Sequence, residues 1–412
     1  MTTCATSPRS VATNEPSLSW RIETSLEPLA AMRDEWDTFV GAAHGDIYFT
    51  YDWCRIYWQH YAHGRQLRVF LFYAGSELVG IVPIVVERLW VGPVPIRLAR
   101  LLGSDWTPAV LNPPILPAHA AQVYRTVVEH ALRDFECETV SFARLSGEFT
   151  AAADLRQACH ELHMEAHLAC DRPRTVHSIL HLPPSFDAYL AGLSKNERKE
   201  YRQGERRLME YGPVTLRCHR KPSEIDAAYR DFVALHAQQW RRLGKLGHFG
   251  DWPQSLEFTR DLLHALAVRG RAEVVAVSVG NVTVAMELTL RFGNTSYWRL
   301  PARKTEPHWE TCGIGRVARI KQIEALIGEG VVRIELGQGH YPHKLSLGAV
   351  QYPLYSILVA RNHWWPRLKT RLLAAYADLL NLLYYRIWFC RLAPRLPLPR
   401  RPLWKSWIRT RV

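Results

Sequence analysis

No uncharged apolar run in this 412-residue chain reaches the roughly 20 residues that a membrane-spanning helix needs, and the Ser/Thr-rich start, residues 1–19, contains no apolar segment. Neither a signal peptide nor a spanning anchor is expected. Cysteine is sparse and scattered: none of the eight residues forms a C-x-x-C pair, which excludes a zinc ribbon and a secreted disulfide framework and points to a reducing cytoplasm. The histidines offer no better ligand pair than His340 and His343, with no carboxylate at matched spacing, so no metal site is expected.

Acid is nearly missing from the C-terminal end. Residues 361–412 carry twelve Lys/Arg against one acid, Asp378, so most of the net charge of +13 sits in this tail and the body is close to neutral. Trp364, Trp365, Trp388, Trp404 and Trp407 alternate there with arginines and with the apolar stretch 372–385, which is too short to span. Prolines from Pro394 to Pro402 break any further helix. Tryptophan and arginine together suit the headgroup boundary of an anionic membrane, so interfacial binding ranks first, a dimerising helix second and RNA third. The expected location is cytoplasmic, peripheral on the inner face of the cytoplasmic membrane, with nucleic acid not favoured as a partner.

What remains is apolar enough, at 48% hydrophobic residues, for two ordinary domains. Strand and helix signals recur twice in the same order. In the second copy, residues 214–219 alternate as a strand, and residues 223–243 have a helical period starting at Ser223-x-x-Asp226. Residues 252–268 read as another helix. Residues 272–279 and 282–292 form a hairpin through Gly280-Asn281, and 296–300 continues it. A helix over 313–327 ends at Gly328 and Gly330, before strands 331–336 and 352–360. The first copy runs parallel: strand 21–25, helices 29–39 and 51–61, a hairpin of 68–73 and 78–86 through Gly75-Ser76, helix 118–132, strand 139–145, helix 151–162 and extended segments around 164–182. The boundaries expected are a disordered N-terminus 1–19, a first domain 20–184, a second domain 185–361 and a tail 362–412.

The chemistry concentrates in Trp309-Glu310-Thr311-Cys312-Gly313-Ile314-Gly315-Arg316, which opens a helix after a strand. A helix N-terminus has free N–H groups and partial positive charge, and glycine removes the side chains that would keep a diphosphate away. This stretch resembles the acyl-CoA loop of the GNAT superfamily, Gln/Arg-x-x-Gly-x-Gly/Ala. Gly313 and Gly315 match the small positions, while Glu310 stands where Gln or Arg is expected. A second likeness lies in Phe186-Asp-Ala-Tyr189-Leu190, Leu193-Ser194-Lys195-Asn196-Glu197-Arg198-Lys199 and Arg206-Arg207-Leu208, which is similar to the FemAB-like and CelD-like acetyltransferases. Glu335-Leu-Gly337-Gln338-Gly339-His340-Tyr341-Pro-His343-Lys344 resembles their closing strand and turn with a Tyr-Lys pair, here with two residues inserted between Tyr341 and Lys344.

The resemblance implies an α/β chain of two tandem GNAT-like domains, with mixed, mostly antiparallel central sheets flanked by helices, plus the basic helical tail. It implies an acyltransferase using acetyl-CoA or another acyl-CoA as co-substrate and no metal, with Gly313, Ile314, Gly315 and Arg316 at the donor. The expected acceptor is an amine or hydroxyl on a small-molecule or lipid-linked cell-envelope sugar, lipid or polysaccharide precursor. Two alternatives stay open: an aminoacyl-tRNA-dependent FemAB-like transferase, and an inactive scaffold for a polysaccharide synthase, which Glu310 favours.

Acyl transfer needs a base for the acceptor, support for the oxyanion and a proton for the leaving thiolate. Glu287, between Met286 and Leu288 in a strand, is a candidate base if buried; pairing with Arg291 or facing water is the alternative. His340 and Tyr341 follow strand 331–336 at the end where open α/β sheets hold ligands, as base and thiolate protonator or as loop packing. Trp298, Arg299 and Lys344 are candidate acceptor contacts, with core packing the alternative for the aromatic. The Lys/Arg-rich run 195–207 has acids between its bases and reads as a solvated face before a docking surface for a phosphorylated acceptor.

Overall fold

A computed structural model describes residues 18–105, 110–162, 166–242, 247–251, 254–396 and 403–411. The expected N-terminal stretch up to residue 17 and the prolines Pro397, Pro399 and Pro402 lie outside the described residues.

Twelve strands form one sheet: β1 (Leu18–Glu23), β2 (Arg65–Ala74), β3 (Glu77–Val91), β4 (Val94–Leu101), β5 (Thr139–Ser146), β6 (Ala166–His181), β7 (Val214–His219), β8 (Ala272–Val279), β9 (Val282–Phe292), β10 (Thr295–Arg303), β11 (Arg333–Gln338) and β12 (Val350–Arg361). The local signals explain most of them. The β8–β9 hairpin turns where Gly280 has φ +57°, a conformation open to glycine without Cβ strain. β4 was not apparent in the sequence, because Pro95, Arg97 and Arg100 break its apolar alternation; its partners β3 and β5 fix it.

Strand order is β1-β2-β3-β4-β5-β12-β6-β11-β10-β9-β8-β7. β4 pairs parallel with β5 and β10 parallel with β11; every other neighbouring pair is antiparallel. The two expected mixed sheets are thus joined edge to edge. They also exchange their last strands: β12 lies against β5 of the first half, and β6 lies against β11 of the second. The exchanged strands pair with each other along nearly their whole length, from Val350↔Ile179 to Arg361↔Ala166.

One core cluster runs across both halves, from Trp36 and Phe70 to Phe232 and Leu266. A second lies on one face of the C-terminal half, where the helices Phe186–Gly192, Lys195–Met209 and Ile314–Gly328 pack on the sheet through Tyr189, Tyr201, Leu208, Val317 and Ile323. Much of the charge of the basic helix Lys195–Met209 is taken up locally. It starts with a capping box between Ser194 and Glu197, Arg198 donates to the carbonyl of Ala191 (3.0 Å), and Glu200 and Glu205 pair with Arg316 (2.7 Å) and Lys321 (2.6 Å).

The tail is not a free arm. The helix Trp364–Leu379 continues as a wider π-type helix over Leu380–Leu392, and a last helix, Trp404–Arg409, folds back beneath it. Trp404 and Trp407 are buried: Trp407 stacks on Tyr385 (centroids 4.3 Å) and Trp404 meets Phe389 (4.6 Å). Arg409 lends its carbonyl to the buried Arg100 guanidinium (2.7 Å), which also holds Glu87 (2.6 Å). These two tryptophans, expected at a headgroup boundary, belong instead to the core cluster that runs across both halves. Aromatic stacking within the chain uses the same residue types as membrane anchoring. Among the described residues no helix is long and apolar enough to cross a membrane.

Candidate active site

In the C-terminal half, β10 runs beside β11 only from Thr295 to Tyr297. A bulge between Trp298 and Leu300 then redirects it, so that it stays paired to β9 as far as Arg303 while parting from β11. The helix Ile314–Gly328 crosses this opening. Its first residue follows Gly313, which sits at φ +66°, a left-handed conformation costly for a residue with Cβ. The Gly313 amide donates to the Glu310 carbonyl (2.9 Å) and the Arg316 amide to the Gly313 carbonyl (3.0 Å), whereas those of Ile314 and Gly315 have no backbone acceptor among the described residues.

Beside these amides lies a cavity of about 580 Å³, reached by Gly313, Gly315 and Arg316 at one side. Its walls are Val275, Val277, Ala285, Met286, Pro301, Ala302 and Leu347, with Glu287, Arg319, Gln322, His343, Ser346, Arg303 and Gln239 as polar members. The side chain of Ile314 is buried in the core below, so this residue contributes its backbone. Glu310 lies at the rim, 3.7 Å from Arg303, and both are solvated.

Glu287 is 7% exposed and forms no ion pair among the described residues. Arg291, its alternative partner, binds Glu329 instead (2.7 Å) and approaches Glu273 (3.7 Å). Burial pushes the Glu287 carboxyl up to about 7, against the opposing pull of Arg319. Arg319 is itself shifted down by burial, with Glu287 acting the other way. His343 is held neutral at physiological pH, down to about 4, by burial and then by the nearby Arg319 and Lys344.

The other sequence candidates lie elsewhere. His340 is exposed with Nδ1 2.7 Å from Gln351 Oε1, and Tyr341 is exposed, stacked against His343; neither lines the cavity. Lys344 is buried with Nζ donating to the carbonyls of Gly337 (3.0 Å) and Gln338 (2.9 Å), so it ties down the turn after β11. Trp298 is buried in the second core cluster, and the Arg299 guanidinium lies 5.1 Å over the Tyr48 ring and bonds its hydroxyl, at the seam between the halves.

Sequence reasoning missed Arg319, Gln322, His343 and Gly204. The first two follow Gly315 at i+4 and i+7 on one helix face, a spacing that was legible. Gly204 had no local signal: a Cβ there would meet the Cys312 carbonyl oxygen at 2.6 Å, so this glycine lets the basic helix touch the segment that leads into Gly313. The corresponding turn in the first half, 111–119, contains Pro113, Pro114 and Pro117 and no glycine. Among the described residues no group of three or more His, Cys, Asp or Glu could hold a metal.

The family model described as an acetyltransferase (GNAT) domain matches residues 195–345, which contain the loop, Glu287 and the cavity's helix. No curated protein is a significant match to the chain. Among solved structures the chain is similar to FemX, at TM-score 0.59 and 11% identity over 79% of this chain and 95% of that one. It is also similar to a conserved protein of unknown function from Bacteroides thetaiotaomicron, at TM-score 0.50 and 13% identity over 84% and 100%. Residues 195–345 are thus a GNAT acetyltransferase domain, which makes the chain an acyltransferase, and its fold is similar to that of FemX.

Proposed function

We propose that the protein transfers an acyl group, acetyl in the simplest case, from acyl-CoA to an amine or hydroxyl of a cell-envelope precursor. The observation that carries this is the meeting, on one cavity, of a helix head with free amides and a buried carboxylate without an ion-pair partner. The amides of Ile314 and Gly315, with Arg303 and Arg316 at the rim, suit the diphosphate of the donor. Glu310 brings an acid to this rim, and Arg303, 3.7 Å away, offsets part of its charge. Acyl-CoA supplies an activated acyl group: a bond from the acceptor's nitrogen or oxygen forms as the C–S bond breaks, and CoA leaves as the thiol.

Glu287 accepts the acceptor's proton, and a carboxyl poised near 7 is matched to that task at neutral pH. The test is titration calorimetry with CoA on the wild type and on Gly315→Glu: micromolar binding lost in the variant supports the reading, and no CoA binding by the wild type overturns it.

The outward face of the tail supports a position at the inner membrane surface. Trp364, Leu368, Leu372, Leu379 and Leu383 are exposed at helical spacing, flanked by the exposed Arg371 and Arg386.

A further inference from the structure

Glu287 and Arg319 both face the cavity, yet no ion pair within 4.0 Å joins them, and Arg319 has no hydrogen bond to another described residue. Gln322, one turn further along the same helix, is 3% exposed and its side-chain nitrogen has no partner among the described residues. Val275, Val277, Ala285, Met286 and Leu347 make part of the surrounding wall aliphatic. Leaving a buried acid and a buried amide donor unmatched beside a half-buried guanidinium is unfavourable, and a ligand that matches all three relieves it. The donor's diphosphate is not that ligand: its place is the helix head, and Arg319 lies about 6 Å further along the axis from Gly315 at 1.5 Å per residue.

We infer that the acceptor is an amino acid: its amine lies toward Glu287, and its carboxylate is held by Arg319 and Gln322. A guanidinium and an amide N–H together match the planar, two-oxygen geometry of a carboxylate. An amine without the acid leaves Arg319 bare, and an acid without the amine leaves Glu287 bare. The amino acid satisfies both while adding no net charge. This inference rests on the acyltransferase reading and names its acceptor class.

The experiment is calorimetry on the full chain, first with CoA alone. The CoA-loaded protein is then titrated with a panel of free amino acids, their α-amides, the corresponding decarboxylated amines, and phosphoethanolamine. At least one amino acid is expected to bind tenfold or more tightly than its amide and its amine. Arg319→Met should remove that preference, Arg319→Lys should restore part of it, and Gln322→Leu should weaken acid binding severalfold, with melting curves confirming that each variant is folded. Equal binding of acid and amide, preference for phosphoethanolamine, no binding of any amino acid to the CoA-loaded protein, or a preference unchanged in Arg319→Met overturns the inference. Failure of CoA itself to bind overturns the donor reading instead, so the two failures are separable.

Discussion

Gly204 and Cys312 meet with no side chain between them, the α-carbon of one helix resting against the last carbonyl before Gly313. A methyl group at position 204 would lie 2.6 Å from that oxygen and 3.0 Å from Val317 Cγ2, contacts that force backbone to move. Gly204→Ala should therefore cost about 1–3 kcal/mol of stability. It should also weaken CoA binding, because the displaced segment carries Gly313. A melting curve and a CoA titration on the same sample check both; an unchanged affinity would separate the loop from this helix.

Gly313→Val tests the left-handed turn directly. At φ +66° a β-branched residue is strained by about 1–3 kcal/mol, although nothing lies within 4 Å of the added Cβ. The KM for acyl-CoA should rise at least tenfold, with kcat falling less. A variant with wild-type kinetics would show that the helix head does not hold the donor.

Glu287→Gln should lower kcat by 10²–10⁴-fold. In the wild type, the rate should climb with pH through about 7, as the carboxyl loses its proton, and this limb should vanish in the variant. Stability runs the other way. A carboxyl raised from 4.5 to about 7 favours the folded state most fully below pH 4.5, and that contribution is lost as pH rises through about 7. Above that window the variant should be the more stable protein, by an amount on the order of 3 kcal/mol, and thermal melts at pH 5 and pH 8.5 give the comparison.

Lys344→Met removes the donor that holds the carbonyls of Gly337 and Gln338. The expected cost is about 1–3 kcal/mol, with faster proteolysis at the turn after β11. Limited digestion mapped by mass spectrometry reads this out, and an unaltered cleavage pattern would leave Lys344 without its tethering role.

In the tail, Trp364→Ser with Leu368→Ser should abolish sedimentation with phosphatidylglycerol vesicles and leave the melting temperature unchanged, since both residues are exposed. Trp404→Ala should do the reverse, lowering stability by about 3–5 kcal/mol, because that ring is buried against Phe389 and Trp407. Vesicle binding that survives the first pair of changes would show that Trp364 and Leu368 are not the contact, and a wild type that does not sediment with the vesicles would remove the membrane from the account.

The sequence was most readable where the signal was local. The strands β7, β8 and β9 and the helix Tyr51–Tyr61 end where alternation, the Gly280-Asn281 turn and helical period place them. The start of a helix at Gly313-Ile314-Gly315 was equally plain. β4 was not, since pairing on both sides outweighs its Pro95 and two arginines. Nor was the fate of Trp404 and Trp407, because composition alone does not say whether a tryptophan beside arginine meets lipid or another ring. Tyr341 and His340 were drawn to the site by their place after a strand, but Lys344 turns that segment into a tether and leaves both rings outside the cavity.

The crossing of β6 and β12 between halves bears on how the chain is made. β5 leaves the ribosome some 200 residues before β12, its partner, so the first half waits with a bare edge until β12 has been made. Neither half, cut out on its own near residue 184, retains the strand that finishes it; the duplicated units have become mutually dependent, and the molecule should unfold as a single cooperative body.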